Sequence, residues 1–203
     1  MAGPQRWPCT PPPHVMAAFK ALHPGVQLRM VDCAVESVMA RVFSGEVDIG
    51  IGPERETNSD IEAAELFTLP FMVVLPKGHP LAAQEQVRWQ DLSAQPLITL
   101  QGQFTDLLVS DAGDAARDLQ QDSFMQVTFM TSALALVRAG LGITLCMPYA
   151  RLLVEQNGLV MRPLVHPQVQ RSFWIFTRKG RSLSPAAQGF LDFARGQLAR
   201  AWA

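Results

Sequence analysis

Residues 26–53 read VQLRMVDCAVESVMARVFSGEVDIGIGP, and the two periodicities in this stretch decide the fold class. Val26, Leu28 and Met30 alternate with Gln27 and Arg29, the pattern of a strand with one buried face. Val35, Val38, Met39, Val42 and Phe43 then fall at i, i+3, i+4, i+7 and i+8, a single helical stripe. Gly45 stands where a left-handed C-cap is wanted, and Val47–Ile51 follows as a short strand opening into Gly52-Pro53. Upstream, Thr10 is placed to N-cap a helix with prolines in its first turn and Val15, Met16, Phe19 and Leu22 as its stripe. Pro24-Gly25 ends that helix. Helix, strand, helix, strand is the rhythm of a parallel sheet with crossover helices.

The same reading extends downstream. Leu66–Leu75 is nearly continuous apolar sequence, as a strand buried on both faces should be. Pro96–Leu100 reads as a short buried strand, and Thr105–Leu119 carries a helical pattern. Gln126–Thr131 alternates and hands over to Ser132, a good N-cap for a helix ending at Gly140. Gly142–Cys146 is a strand, Pro148 opens a helix to about Gln156, and Asn157-Gly158 stops it. Strands near Leu159–Val165 and Ser172–Thr177 precede a terminal helix that starts at Ser184-Pro185 and places Phe190, Leu191, Ala194 and Leu198 on one face.

Composition narrows the function. A chain of 203 residues with 48% hydrophobic and 17% charged residues buries a real core, as one large domain or two small lobes. A net charge of −1 argues against a free-standing nucleic-acid binder, which needs an electropositive face. No apolar run approaches the roughly 18–20 residues of a membrane span. MAGPQRWPCTPPP has no secretory h-region. Cys9, Cys33 and Cys146 are odd in number and far apart, so no disulfide framework is implied. These features describe a soluble, cytoplasmic α/β protein.

Chemistry-bearing motifs are scarce. Gly50-Ile-Gly52 follows a strand, but Arg55 stands where a dinucleotide loop needs its third glycine. His14, His23, His79 and His166 lack metal-ligand spacing, and there is no Cys-x-x-Cys, nucleophile elbow or phosphate-binding loop. No catalytic set, metal or cofactor is therefore expected. Cys146 reads either as a redox thiol or as a buried strand cysteine, and Phe104 either as a pocket aromatic or as core.

Four segments, in order and at matching spacing, carry a family resemblance. Phe19–Gly52 resembles the start of the effector-binding domain of LysR-type transcriptional regulators. KGHPLA at Lys77–Ala82, DLSAQPLITL at Asp91–Leu100 and SALALVRAGLGITLCMP at Ser132–Pro148 resemble that family's later landmarks. The resemblance covers about residues 14–200. It implies a periplasmic-binding-protein-like type II fold: two Rossmann-like α/β lobes joined by two crossover strands, with a ligand cleft between them. Lobe I would be residues 1–70 with 172–203, and lobe II residues 71–171. The family's winged helix-turn-helix has no counterpart in this sequence, and Gly3–Pro8 is a poor version of the family's first strand because proline cannot donate to a ladder.

Small ligands of such sheets sit beyond strand carboxyl ends, near helix N-termini whose N–H groups favour a carboxylate. The resemblance sets the helix starts at Cys9-Thr10 and Thr131-Ser132 across the cleft from each other, with Thr99, Gln101, Gly52 and Pro53 in its walls and Cys146 and Pro148 at the opposite rim. For each hydroxyl the plain alternative is an N-cap worth about 1 kcal/mol. The implied function is the sensing of a small metabolite, an organic acid, without chemistry. DNA would be reached only through a helix-turn-helix domain outside this sequence. A homodimer or homotetramer is implied, with the helix from about Pro13 to Leu22 of one chain against Ala133–Ala139 of another. A transport-type solute-binding protein of the same fold predicts an export signal. An enzyme on this scaffold predicts a clustered acid, base or nucleophile.

Overall fold

The structure is a computed structural model that describes residues 13–93, 95–101, 108, 111–113 and 125–202. In chain order the described elements are α1 (Pro13–Leu22), a 3-10 turn (Val35–Ser37) running into α2 (Val38–Ser44), β1 (Gly50–Pro53), β2 (Ile61–Pro70) and β3 (Met72–Pro76). A 3-10 turn (Pro80–Ala83), β4 (Val87–Arg88), a second turn (Trp89–Leu92), β5 (Leu97–Leu100) and β6 (Met125–Val127) come next. The chain continues through α3 (Met130–Arg138), β7 (Ile143–Cys146), a turn (Pro148–Ala150) leading into α4 (Arg151–Gln156), β8 (Leu159–Val165), β9 (Gln170–Arg178) and α5 (Pro185–Trp202).

The described chain divides into two compact units, an inserted one of residues 69–170 and a split one of residues 13–68 with 171–202. Among the described residues the chain therefore changes unit twice, at Thr68–Leu69 and at Gln170–Arg171.

The split unit is built on the three-stranded order β1-β9-β2. β1 pairs antiparallel with β9, Gly50 opposite Phe176 and Pro53 opposite Phe173. Val38 and Val42 of α2 bury one sheet face together with Ile61 and Phe176. A second core joins α1 to α5 through Val15, Phe19, Phe190, Ala194 and Leu198, with the Phe19 and Phe190 rings edge to face at 5.2 Å. α2 ends at Gly45, whose φ of 76° is the left-handed cap its position predicts. Ser184 Oγ accepts the Ala187 N–H at 3.2 Å and caps α5.

The inserted unit has the order β4-β8-β3-β7-β5-β6. β3 runs antiparallel to both neighbours, while β4 is parallel to β8 and β5 is parallel to both β7 and β6. Five strands thus point one way, and Met72–Leu75 of β3, all buried, form the centre. Ala133, Leu134 and Val137 of α3 are fully covered against Met72, Val74 and Ile98. Burying such side chains stabilises by about 1.5–3 kcal/mol each for the larger ones.

Several local expectations are corrected. Val26–Val31 joins no ladder among the described residues, although Val26 and Leu28 still pack against the α1–α5 core. Alternation sets which side chains face inward; a strand also needs a neighbour for its N–H and C=O groups. The Leu66–Leu75 run is two strands, not one, because Pro70 lacks an N–H and Phe71 turns its own N–H to the Val169 carbonyl at 3.0 Å. The ladder expected over Val47–Ile51 lies at Gly50–Pro53. Leu22 is 64% exposed and Phe43 45%, so both helical stripes are narrower than their periodicity suggests; the Arg178 guanidinium covers the Phe43 ring at 5.2 Å. Ser132 is not an N-cap: α3 begins at Met130, and extended Phe129 precedes it. The Thr10 cap, Phe104 and most of the Thr105–Leu119 pattern lie outside the described residues.

Candidate functional site

Three parallel strands of the inserted unit end at one edge of its sheet. β5 pairs Thr99 with Gln126 and Leu100 with Val127, and it pairs Ile98 with Thr144, so Leu100, Val127 and Cys146 finish level. β3 starts from the same edge, Met72 lying opposite Cys146. The residues just past each strand end line this edge: Gln101 beyond β5, Thr128 and the start of α3 beyond β6, and Met147-Pro148 beyond β7.

The polar groups there are ordered by a few short bonds. The Gln101 N–H donates to the Val127 carbonyl at 2.9 Å, extending the ladder by one rung. The Thr128 hydroxyl donates to Gln101 Oε1 at 3.1 Å, which leaves the Gln101 amide nitrogen as an oriented donor. Deeper in the sheet, Thr144 is fully buried and its hydroxyl donates to the Ile98 carbonyl at 2.7 Å, tying β7 to β5.

α3 begins beside these groups. Ser132 and Ala133 both donate to the Phe129 carbonyl, so Met130 and Thr131 stand at the open end, where a helix leaves N–H groups without acceptors. The first turn holds no acidic residue, and Arg138 sits in the last turn. The positive end of the helix dipole is thus left for an anion, while the negative end is matched within the chain. Phe129, 40% exposed, adds an aromatic ring at the same end.

The structure separates the predicted site residues into groups. Thr99 and Thr131 are half-buried, Gln101 and Ser132 exposed and Pro148 half-buried, all at this edge of the inserted unit. Cys146 belongs to the same edge by backbone, but its side chain is fully buried with Met72, Val74 and Ile98. Burial raises the pKa of its thiol strongly, which keeps it protonated and unreactive near neutrality. Gly52 and Pro53 are buried in β1 of the split unit. Cys9 and Thr10 lie outside the described residues. Cys33, half-buried in the split unit, also has a raised pKa from desolvation, opposed by the nearby Arg41. Among the described residues no group of three or more His, Cys, Asp or Glu is placed to hold a metal ion. No helix among them is long and apolar enough to cross a membrane.

Sequence reasoning passed over Thr128 and Thr144. Both follow the alternation of their strands, and their partners are oxygens on neighbouring chain segments, a relation that only the register reveals.

The family model for the LysR substrate binding domain matches residues 9–199. The chain belongs to that family. An uncharacterized HTH-type transcriptional regulator of Escherichia coli K12, YbhD, is 32% identical over 182 residues, covering 88% of this chain and 56% of that protein. This LysR-family chain therefore spans about half the length of that curated relative. Among solved structures it resembles HinK, a LysR family transcriptional regulator from Pseudomonas aeruginosa, with 26% identity and a TM-score of 0.81 over 93% of this chain and 66% of that one. The effector binding domain of QuiR in complex with shikimate matches with a TM-score of 0.77 at 20% identity, over 94% of this chain and 91% of that one. The fold is the periplasmic-binding-protein-like type II fold of LysR effector-binding domains.

Proposed function

We propose that this chain is the effector-sensing domain of a LysR-type bacterial transcriptional regulator, and that its effector is a small organic acid bound at the strand-end edge of the inserted unit. The observation that carries the reading is the convergence of Thr99, the Gln101 amide and the acid-free start of α3 on one edge. Hydroxyls, an amide and helix N–H groups are donors for a carboxylate and its neighbouring hydroxyls. QuiR supports the class, since its effector binding domain is bound to shikimate. Thr131, Ser132 and Pro148 belong to the same set; Cys9, Thr10, Gly52 and Pro53 are proposed as effector contacts from the family resemblance alone. Cys146 supports the edge by packing.

The domain performs no chemistry. It acts by population shift: the effector must favour one arrangement of the chain, since equal affinity for two arrangements moves nothing. DNA is reached through a helix-turn-helix domain of the whole regulator, in the cytoplasm. The chain pairs as a homodimer or homotetramer through α1 of one copy and α3 of another, where Ala17, Ala18 and Leu22 on α1, Ala135 on α3 and Ala139 at the α3 C-cap are exposed. Light scattering coupled to size exclusion that finds only monomer at high concentration contradicts the pairing.

A thermal-shift screen against small carboxylates, aromatic acids, amino acids and sugars tests the sensing. A ligand at 100 times its dissociation constant adds about 2.7 kcal/mol, or about 5–10 °C for a chain of this size. A shift confined to acids supports the reading; a shift confined to sugars or to amines contradicts the proposed class.

A further inference from the structure

Three side chains bind the two connecting strands to each other beside the points where the chain changes unit. The Thr68 hydroxyl donates to Glu65 Oε1 at 2.7 Å, and the Thr68 and Ser172 hydroxyl oxygens lie 2.9 Å apart. Ser172 also reaches the same carboxylate oxygen at 3.4 Å. All three residues belong to the split unit: Thr68 is the last before the first crossing, and Ser172 the second after the other. The contact joins positions 104 apart in sequence.

On the inserted side the next tie is made by backbone. Phe71 donates to the Val169 carbonyl at 3.0 Å and accepts from Leu164 at 3.2 Å. Between the two ties lie Leu69 and Pro70 on one strand and Gln170 and Arg171 on the other. Pro70 has no N–H, so this stretch of β2 gives one ladder donor fewer than any other residue would supply. A second tie in the split unit, the stack of Phe67 on Phe173 at 5.1 Å and 21°, joins the same two strands through apolar contact alone.

We propose that Glu65, Thr68 and Ser172 form a latch that keeps β2 and β9 paired up to the crossings and confines any pivoting to residues 69–70 and 170–171. The Glu65 carboxylate takes the Thr68 hydrogen within β2, so Ser172 is the donor across the pair, giving its own hydrogen to the Thr68 oxygen at 2.9 Å. The latch rests on the sensing reading only for its use, since a sensor that shifts between arrangements needs a defined pivot; its existence is independent of any effector.

Hydrogen–deuterium exchange read by mass spectrometry, on the ligand-free full chain, tests it. Thr68→Val with Ser172→Ala removes both hydroxyls and leaves the Phe67–Phe173 stack in place. Peptides covering 66–71 and 169–173 are expected to exchange about fivefold faster, while those of β7, β8 and α3 keep the wild-type rate. Glu65→Gln keeps an uncharged acceptor and is expected to give a smaller acceleration in the same peptides. Unchanged exchange at 66–71 and 169–173 overturns the latch, and so does uniform acceleration through both units, the sign of general destabilisation. Failure of every effector to bind leaves this result standing, so the two readings fail separately.

Discussion

The Thr144 hydroxyl donates to the Ile98 carbonyl at 2.7 Å from a side chain with no solvent exposure, binding β7 to β5 in the register that makes their carboxyl ends level. Thr144→Val keeps the shape and deletes the bond, leaving a buried carbonyl with one partner fewer. It is expected to cost about 1–2 kcal/mol in urea unfolding, and Thr144→Ser less. An unchanged midpoint contradicts the assignment.

Gly142 has a φ of 155°, and a Cβ built there would lie 2.3 Å from the Pro96 carbonyl oxygen, which accepts the Ile143 N–H at 2.9 Å. The obstacle is backbone and cannot rotate away. Gly142→Ala is expected to destabilise by about 3 kcal/mol. Gly140→Ala, also at positive φ but with open space around the new methyl, is expected to cost about 1 kcal/mol. Equal losses in thermal or urea unfolding would sink the steric explanation.

Arg162 donates from Nε to the Gln84 carbonyl at 2.7 Å and from Nη2 to the Ala82 carbonyl at 2.7 Å, holding the turn after β3 against β8. Arg162→Ala is expected to cost about 2–3 kcal/mol and to open residues 77–86 to limited proteolysis. Arg162→Lys, with a single ammonium, rescues it only in part. Cleavage at the wild-type rate in the alanine variant counts against this role.

Cys146 supplies a pH test. Its thiol is raised in the fold by complete burial, so stability is fully present below the ordinary thiol value and falls as the unfolded chain begins to ionise above about pH 8.5. For one thiol that slope is about 1.4 kcal/mol per pH unit. Cys146→Ala is expected to be less stable at pH 7 from its cavity, but to lose less between about pH 8.5 and 10. A parallel pair of stability curves refutes the linkage.

Much of this structure is legible in the sequence where a signal is local. Gly45, Ser184 and Asn157-Gly158 mark helix ends by chemistry that neighbouring residues alone enforce. Periodicity located β8 and the core face of α5 for the same reason. What it missed depends on partners far along the chain. Val26–Val31 has the right alternation without a ladder, and Phe43 fits a stripe but lies under Arg178. Ser132 is a good capping residue in a helix that starts two positions earlier, because Phe129 already leaves β6 in extended geometry. Thr99 and Gln101 stand at a strand end that the local pattern marks, whereas the contact of the Thr128 hydroxyl with Gln101 depends on the parallel register of β5 and β6.

Backbone amide chemical-shift mapping during titration with the acid that stabilises the chain most is the direct test of sensing at this edge. The largest changes are predicted to fall on Gln101 and on Met130–Ala133. Thr131→Val is predicted to weaken binding about tenfold without lowering the melting point of the free chain by more than about 2 °C. Saturable binding whose shifts fall elsewhere, with Thr131→Val binding as tightly as wild type, would contradict sensing at this edge.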